Sequence, residues 1–228
     1  MTTNATPGDA LHGPGLTDVR DMVMAHDAFR RALRSSASLV RAVNDGDRKR
    51  AGVLADHLEL MLGLLVHHHE GEDALLWPML LQRVPEKLAP LVHLMQSQHE
   101  AVHGMLDEVT ALIPHWRANP TSAARSRLAD RVEHLLVLLE EHLHDEEKHL
   151  LPVAARTVTQ PEWDAVAERN LKSLPPSKAP MIFGLFMEVG APEIIAQQLA
   201  KAPAPIRLLL RLTARPAWRR YQARVFDA

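Results

Sequence analysis

The chain of 228 residues contains no cysteine, which excludes disulfides, zinc ribbons, iron–sulfur clusters and a thiol nucleophile. Any metal it carries is expected to be held by nitrogen and oxygen donors. Aromatic residues make up only 4%, and no apolar run approaches the roughly 20 residues of a membrane span. Met1 to Gly15 lacks the basic and apolar segments of a signal peptide, so a cytoplasmic protein without a membrane span is expected. The formal net charge of −2 supplies no global field to draw in nucleic acid or an acidic membrane surface, and no nucleic-acid partner is expected. What is present is 46% hydrophobic and dominated by leucine and alanine, which suits an all-α fold. The length allows one good core, or one core plus an appendage.

Fourteen histidines are the unusual feature, and only His67, His68 and His69 are contiguous. Position on each helix therefore decides which of them matter. Leu54, Leu58, Met61, Leu65, His68, Glu72 and Leu75 recur at steps of three and four, the stripe of an amphipathic helix facing a bundle core. An imidazole and a carboxylate thus occupy successive core positions, where without partners they would cost several kcal/mol. The pattern returns 74 residues later: Leu128, Val132, Leu135, Leu139, His142, Glu146 and Pro152 stand opposite Leu54, Leu58, Met61, Leu65, His68, Glu72 and Pro78. At an offset of 73, Val19, Met22, His26, Phe29, Leu33 and Val40 align with Val92, Met95, His99, Val102, Leu106 and Ile113. Helices one and two form a half that helices three and four repeat, with Arg30 in the slot of His103. Short connections favour an antiparallel up-down-up-down four-helix bundle.

Residues 1–16 read as a disordered tail and residues 17–155 as the bundle. Thr17 is the candidate N-cap of helix one, which ends at Asn44-Asp45-Gly46. Asp47 caps helix two, which extends to about Trp77-Pro78. Helix three starts between Leu88 and Pro90, and Asn119 or Thr121 caps helix four. Residues 156–228 read as a C-terminal helical extension: Pro161 to Leu171, Ala179 to Val189, Glu193 to Leu199, Ile206 to Leu212 and, opened by Pro216, Ala217 to Phe226. Arg207, Arg211, Arg215, Arg219, Arg220 and Arg224 lie among its last apolar residues. A basic amphipathic segment can meet an anionic membrane or a nucleic acid. The favoured expectation is a solvated helix whose apolar side, with Ile206, Leu209, Leu210, Trp218 and Phe226, packs on the bundle or on a second copy, giving a homodimer or a protein partner.

The inward polar residues are His26, His68, His99, His103 and His142 with Glu72 and Glu146. Their donor types admit iron, zinc, manganese or copper. Their number decides more, because seven donors exceed one tetrahedral zinc. Two carboxylates bridging two octahedral ions leave three histidines for one ion and two for the other, whose open position suits a small molecule such as dioxygen. A ferritin-like scheme also has its Glu-x-x-His signature here, at Glu100-x-x-His103 and Glu146-x-x-His149. It needs an inward glutamate from each of the other two helices, and helix one contains none. His67, His69, His144 and His149 flank the stripe and are expected at the surface or hydrogen-bonded behind ligands. His57, His93, His115 and His134 are expected to be solvated or half-buried, and His12 lies in the tail. Arg30 is expected to snorkel to the surface or to pair with an acidic neighbour.

Residues 18 to 155 resemble the hemerythrin family, including its bacterial members with the HHE cation-binding domain. The resemblance is carried by a lone His26, then His68-x-x-x-Glu72, His99-x-x-x-His103 and His142-x-x-x-Glu146. It implies two iron ions joined by an oxo or hydroxo group, with zinc or manganese as substitutes. By that likeness the first iron takes His99, His103 and His142, the second takes His26 and His68, and Glu72 and Glu146 bridge them. Dioxygen, hydrogen peroxide or nitric oxide is the implied partner, at the second iron, and no separate catalytic residue is implied. Peroxide-decomposing or oxidase turnover is one alternative to binding. A sensor whose di-iron state controls the C-terminal helices is another. The oxygen carriers of the family end in His-x-x-x-x-Asp, whereas position 147 is Glu here and the repeat favours Glu146. The longer arm makes autoxidation, peroxide chemistry or nitric oxide binding comparable with reversible oxygen carriage.

Overall fold

The computed structural model describes residues 11–227, and every regular element among them is helical. The first bundle helix is α1 (Arg20–Leu33), continued after a turn at Arg34 and Ser35 by α2 (Ser36–Ala42). The second is α3 (Arg48–Gly71), the third α5 (Ala89–Ala118) and the fourth α6 (Ser122–Asp145). Two shorter helices, α4 (Trp77–Arg83) and α7 (Leu151–Thr157), prolong α3 and α6 beyond wide turns at Glu72–Leu76 and Glu146–Leu150. α3 packs on α5, α5 on α6 and α6 on α2, while α1 and α2 return to α3 and close the ring. Leu54, Leu58, Leu65, Val102, Leu106, Val109, Val132 and Leu135 fill its centre almost without solvent contact. Burial of each such side chain is worth about 1.5–3 kcal/mol.

The caps set the helix starts. The Asp47 carboxylate accepts from the Arg50 N–H and the Thr121 hydroxyl from the Ala124 N–H, satisfying donors that a helix start leaves unpaired. Thr17 behaves differently from the expectation. Its hydroxyl donates to the Val158 carbonyl and its N–H to Ala155, so it ties the chain to the end of α7. Asp18 accepts from the Arg20 N–H instead, at 3.2 Å. The break at Arg34 and Ser35 also departs from the single helix expected. The break lets α2 lean onto α6. Of the tail, residues 1–10 lie outside the described residues, while residues 11–16 form turns from which Leu11 accepts the Val19 N–H.

The C-terminal helices are α8 (Gln160–Ser173), α9 (Ala179–Val189), α10 (Pro192–Lys201) and α11 (Ala204–Val225). Met181, Ile182 and Leu185 of α9 and Trp218 and Val225 of α11 belong to the same apolar cluster as the bundle interior. Gly184 allows this approach, since a Cβ there would collide with the Ala214 carbonyl and with Trp218. Pro216 does not open a new helix but sits inside α11. An interior proline costs about 3 kcal/mol. Packing of Ala214 and Trp218 on either side offsets that cost, and Leu212, whose carbonyl loses its donor, is exposed. The apolar side of α11 is only partly covered: Trp218 is buried, but Ile206 and Leu209 stay in solvent.

Candidate metal centre

Both His-x-x-x-Glu motifs end where the helix widens. The Glu72 N–H is shared between the carbonyls of His68 and His69, and the Trp77 N–H reaches back five residues to Glu72. Glu146 repeats this with His142 and Leu143, and Leu151 reaches back to Glu146. The cause lies at Pro78 and Pro152. A proline ring clashes with the carbonyl four residues earlier, here Ala74 and Lys148, and the wide turn takes up the conflict. Such turns occur often at functional sites. They also rotate the following face, so that Leu76 and Trp77 are buried while Leu75, placed inward by regular periodicity, is only half-buried.

His26, His68, Glu72, His99, His142 and Glu146 converge, each 5% exposed or less. The Glu72 carboxylate lies between two helices, Oε1 at 3.2 Å from His68 Nε2 and Oε2 at 3.4 Å from His99 Nε2. Glu146 Oε2 lies 3.3 Å from His26 Nε2 and 3.6 Å from His142 Nε2. His99 Nε2 and His142 Nε2 are 3.1 Å apart. Two donor groups are compact enough to hold an ion each: His69, Glu72, His99 and His142, and His26, His68 and Glu72. Both include Glu72.

His69 was expected outside the site. It is fully buried, its ring stacked on His99 at 4.1 Å and edge-on to His142 at 5.0 Å. A signal for it exists in the sequence, because Ala55, Leu58, Leu62, Leu65 and His69 form a second stripe at helical spacing, all of it buried. His103 is half-buried and stands outside both donor groups, its ring 5.6 Å from that of His69 and 6.5 Å from that of His99. His67 is exposed and paired with Glu70 at 3.0 Å. His144 and His149 are exposed as well.

Two further carboxylates aim the rings. Asp73 Oδ1 accepts from His99 Nδ1 and from Trp77 Nε1, both at 2.8 Å. Glu147 Oε1 lies 2.9 Å from His26 Nδ1 and accepts from Arg30 at 2.6 Å. With Nδ1 carrying the proton, Nε2 of each ring presents its lone pair inward, the usual arrangement behind a metal-bound histidine. Arg30 thereby finds an acidic neighbour, and Glu140 at 2.9 Å adds a second.

The electrostatics fit a cation. His26 Nε2, His68 Nε2, both ring nitrogens of His69 and all four oxygens of Glu72 and Glu146 are buried without a hydrogen-bond partner. Leaving so many polar atoms unpaired is costly, and a bound cation satisfies them together. Burial lowers His68 and His142 to about 3 and holds His69 well below the usual histidine range. These rings are therefore neutral and able to ligate. Burial, with Glu146 nearby, pushes Glu72 well above the carboxylate range. Burial would also lower His26, but Glu146 and Glu147 outweigh it and raise the ring to about 9. His26 and Glu146 thus form the charged pair of the metal-free site, and a cation takes over the role of that proton.

No curated protein and no solved structure matches the chain. The family described as Hemerythrin HHE cation binding domain matches residues 17–154, which span the four bundle helices and every donor named above. The buried histidines and glutamates thus fit a metal-cation site, and the chain belongs to the hemerythrin HHE cation-binding family.

Proposed function

We propose that the site holds two iron ions and that the protein binds or reacts with dioxygen, peroxide or nitric oxide there. The observation that carries this reading is the placement of the carboxylates. Each lies between a histidine of one side, His99 or His142, and a histidine of the other, His26 or His68. One ion is assigned to His69, His99 and His142 and the other to His26 and His68, with Glu72 and Glu146 shared. For Glu72 and the histidines the assignment follows the donor groups, in which His69 takes the place expected for His103; Glu146 stands outside both groups and is assigned by its approach to His26 and His142. The side with two histidines offers fewer protein donors, which leaves room for a small molecule. Iron bound there supplies redox chemistry, while Asp73 and Glu147 orient the rings and the apolar walls exclude water. Metal analysis of purified protein, with absorption spectra before and after exposure to dioxygen, tests the reading. Two irons per chain with oxo-bridge bands that change on exposure are expected. A single ion, or zinc alone without spectral change, overturns it.

A second reading is supported by the contact between Gly71 and Asn170. α8 packs on α3 and on the wide turn at Glu72, and a Cβ at Gly71 would collide with the Asn170 side chain. Any movement of Glu72 on metal loading or oxidation therefore reaches α8 directly, as a sensor requires. Protease sensitivity of α8–α11 that differs among apo, reduced and oxidised protein supports this role. Identical cleavage in all three removes it.

A further inference from the structure

The outward face of α11 carries an apolar patch that nothing among the described residues covers. Ile206, Leu208, Leu209 and Leu212 are 47%, 60%, 49% and 67% exposed. Among the described residues the other large apolar side chains so exposed are Leu94 and Val137, single residues on α5 and α6. α11 also contains six arginines and no acidic residue. Arg211, Arg215, Arg219 and Arg220 are exposed, and among the described residues they form no ion pair. At helical spacing Leu208, Leu209 and Leu212 share one side with Arg215, Arg219 and Arg220, opposite the buried Ala214, Trp218 and Val225. The face thus runs from apolar to cationic along one rigid helix. Its C-terminal end is held by Arg50, which donates to the carbonyls of Arg224 and Val225 at 2.9 and 2.6 Å.

We propose that this face docks on an anionic lipid bilayer, with the leucines in the interfacial layer and the arginines on lipid phosphates. A second copy is a poor occupant. Two α11 faces would set arginine against arginine, and a patch of four side chains falls short of the roughly 800 Å² per partner of a stable interface. A nucleic acid would pair the arginines but leave the leucines in water. A bilayer interface satisfies both at once, since apolar burial and attraction to anionic headgroups add in such helices.

Co-sedimentation of the full chain with phosphatidylcholine vesicles, with and without phosphatidylglycerol, tests the proposal. Binding to the anionic vesicles and none to the neutral ones is expected. Arg215→Gln and Arg219→Gln should each weaken it roughly fivefold, and the pair Leu208→Ser with Leu212→Ser roughly tenfold or more. All four positions are exposed, so unchanged helical content by circular dichroism checks that the variants fold. No binding to anionic vesicles overturns the proposal, as does equal binding by the leucine variant, which would mark a purely electrostatic surface. Tighter binding to duplex DNA than to vesicles overturns it too, as does a dimer in solution that the leucine variant abolishes.

Discussion

The two halves of the repeat bring His26 and His99, His68 and His142, and Glu72 and Glu146 to one site yet support them differently. Around His99 the orienting carboxylate is Asp73, shared with the Trp77 indole and lying in the field of His103. Around His26 it is Glu147, clamped by Arg30. Asp73 and Glu147 are repeat partners, as are His99 and His26, so the unit is a glutamate, the carboxylate after it, and a histidine from the other half. Arg30 and His103 are repeat partners too: Arg30 pairs with Glu147 of the other half, and His103 bears on Asp73, likewise of the other half. His103 thus stands outside both donor groups, in the slot from which Arg30 holds the carboxylate behind His26 in the other half. The halves also differ in what covers them. His57 and Gly71 of the first half meet α11 and α8, whereas their counterparts Arg131 and Asp145 pair with Glu108 and Gln98.

Removing either shared carboxylate should have the largest effect. Glu72→Ala and Glu146→Ala each delete a donor placed between both sides, so metal content should fall to one ion per chain or fewer, measured by elemental analysis after gel filtration. Retention of two ions in either variant would show that the deleted carboxylate is not shared between them. The orienting carboxylates come next. Asp73→Asn and Glu147→Gln keep the shape but weaken the hold on Nδ1, and each should lower metal affinity about 10–100-fold in chelator competition. Arg30→Ala acts only through Glu147, so its loss should be smaller than that of Glu147→Gln. His69→Ala and His103→Ala separate the two candidates for the third histidine. The first should cost about as much as His142→Ala and the second clearly less; the reverse order would return His103 to the ligand set.

Periodicity made the bundle legible, because leucines at steps of three and four admit one buried face, and the same steps placed His68, Glu72, His142 and Glu146 inward. The caps at Asp47 and Thr121 and the bounds of α9 followed from local chemistry. What periodicity could not carry was any departure from 3.6 residues per turn. The wide turns at Glu72 and Glu146 moved Leu76 and Trp77 inward in place of Leu75. His69 reads as a flanking residue because it ends a second stripe one residue away from the first, and at the bundle centre both stripes are buried. The docking of α8–α11 on the first half depends on small residues, Gly71 and Gly184, whose meaning lies in what approaches them.

The uneven covering also predicts an uneven response to acid. His57 was expected to be solvated or half-buried but is 1% exposed, 2.8 Å from the Tyr221 hydroxyl and 3.0 Å from the Ala32 carbonyl. A carbonyl only accepts, so Nε2 donates to Ala32 and Nδ1 accepts from Tyr221. The buried ring is therefore held neutral, and burial lowers its pKa from 6.5 to about 4. The unfolded chain takes up this proton first, so the contribution is complete above about pH 6.5 and is lost as pH falls towards 4. By pH 5.5 the loss amounts to about 1.4 kcal/mol. Denaturant unfolding of wild type and His57→Gln at pH 7.5 and 5.5 isolates it, because every other titrating group is common to both chains. The wild type should lose more stability over that interval, and equal losses would mean that His57 is not sealed beneath α11. Tyr221→Phe should show the smallest effect, about 1 kcal/mol at pH 7.5, since it leaves Nδ1 buried without its donor while the apolar contact between the two rings survives.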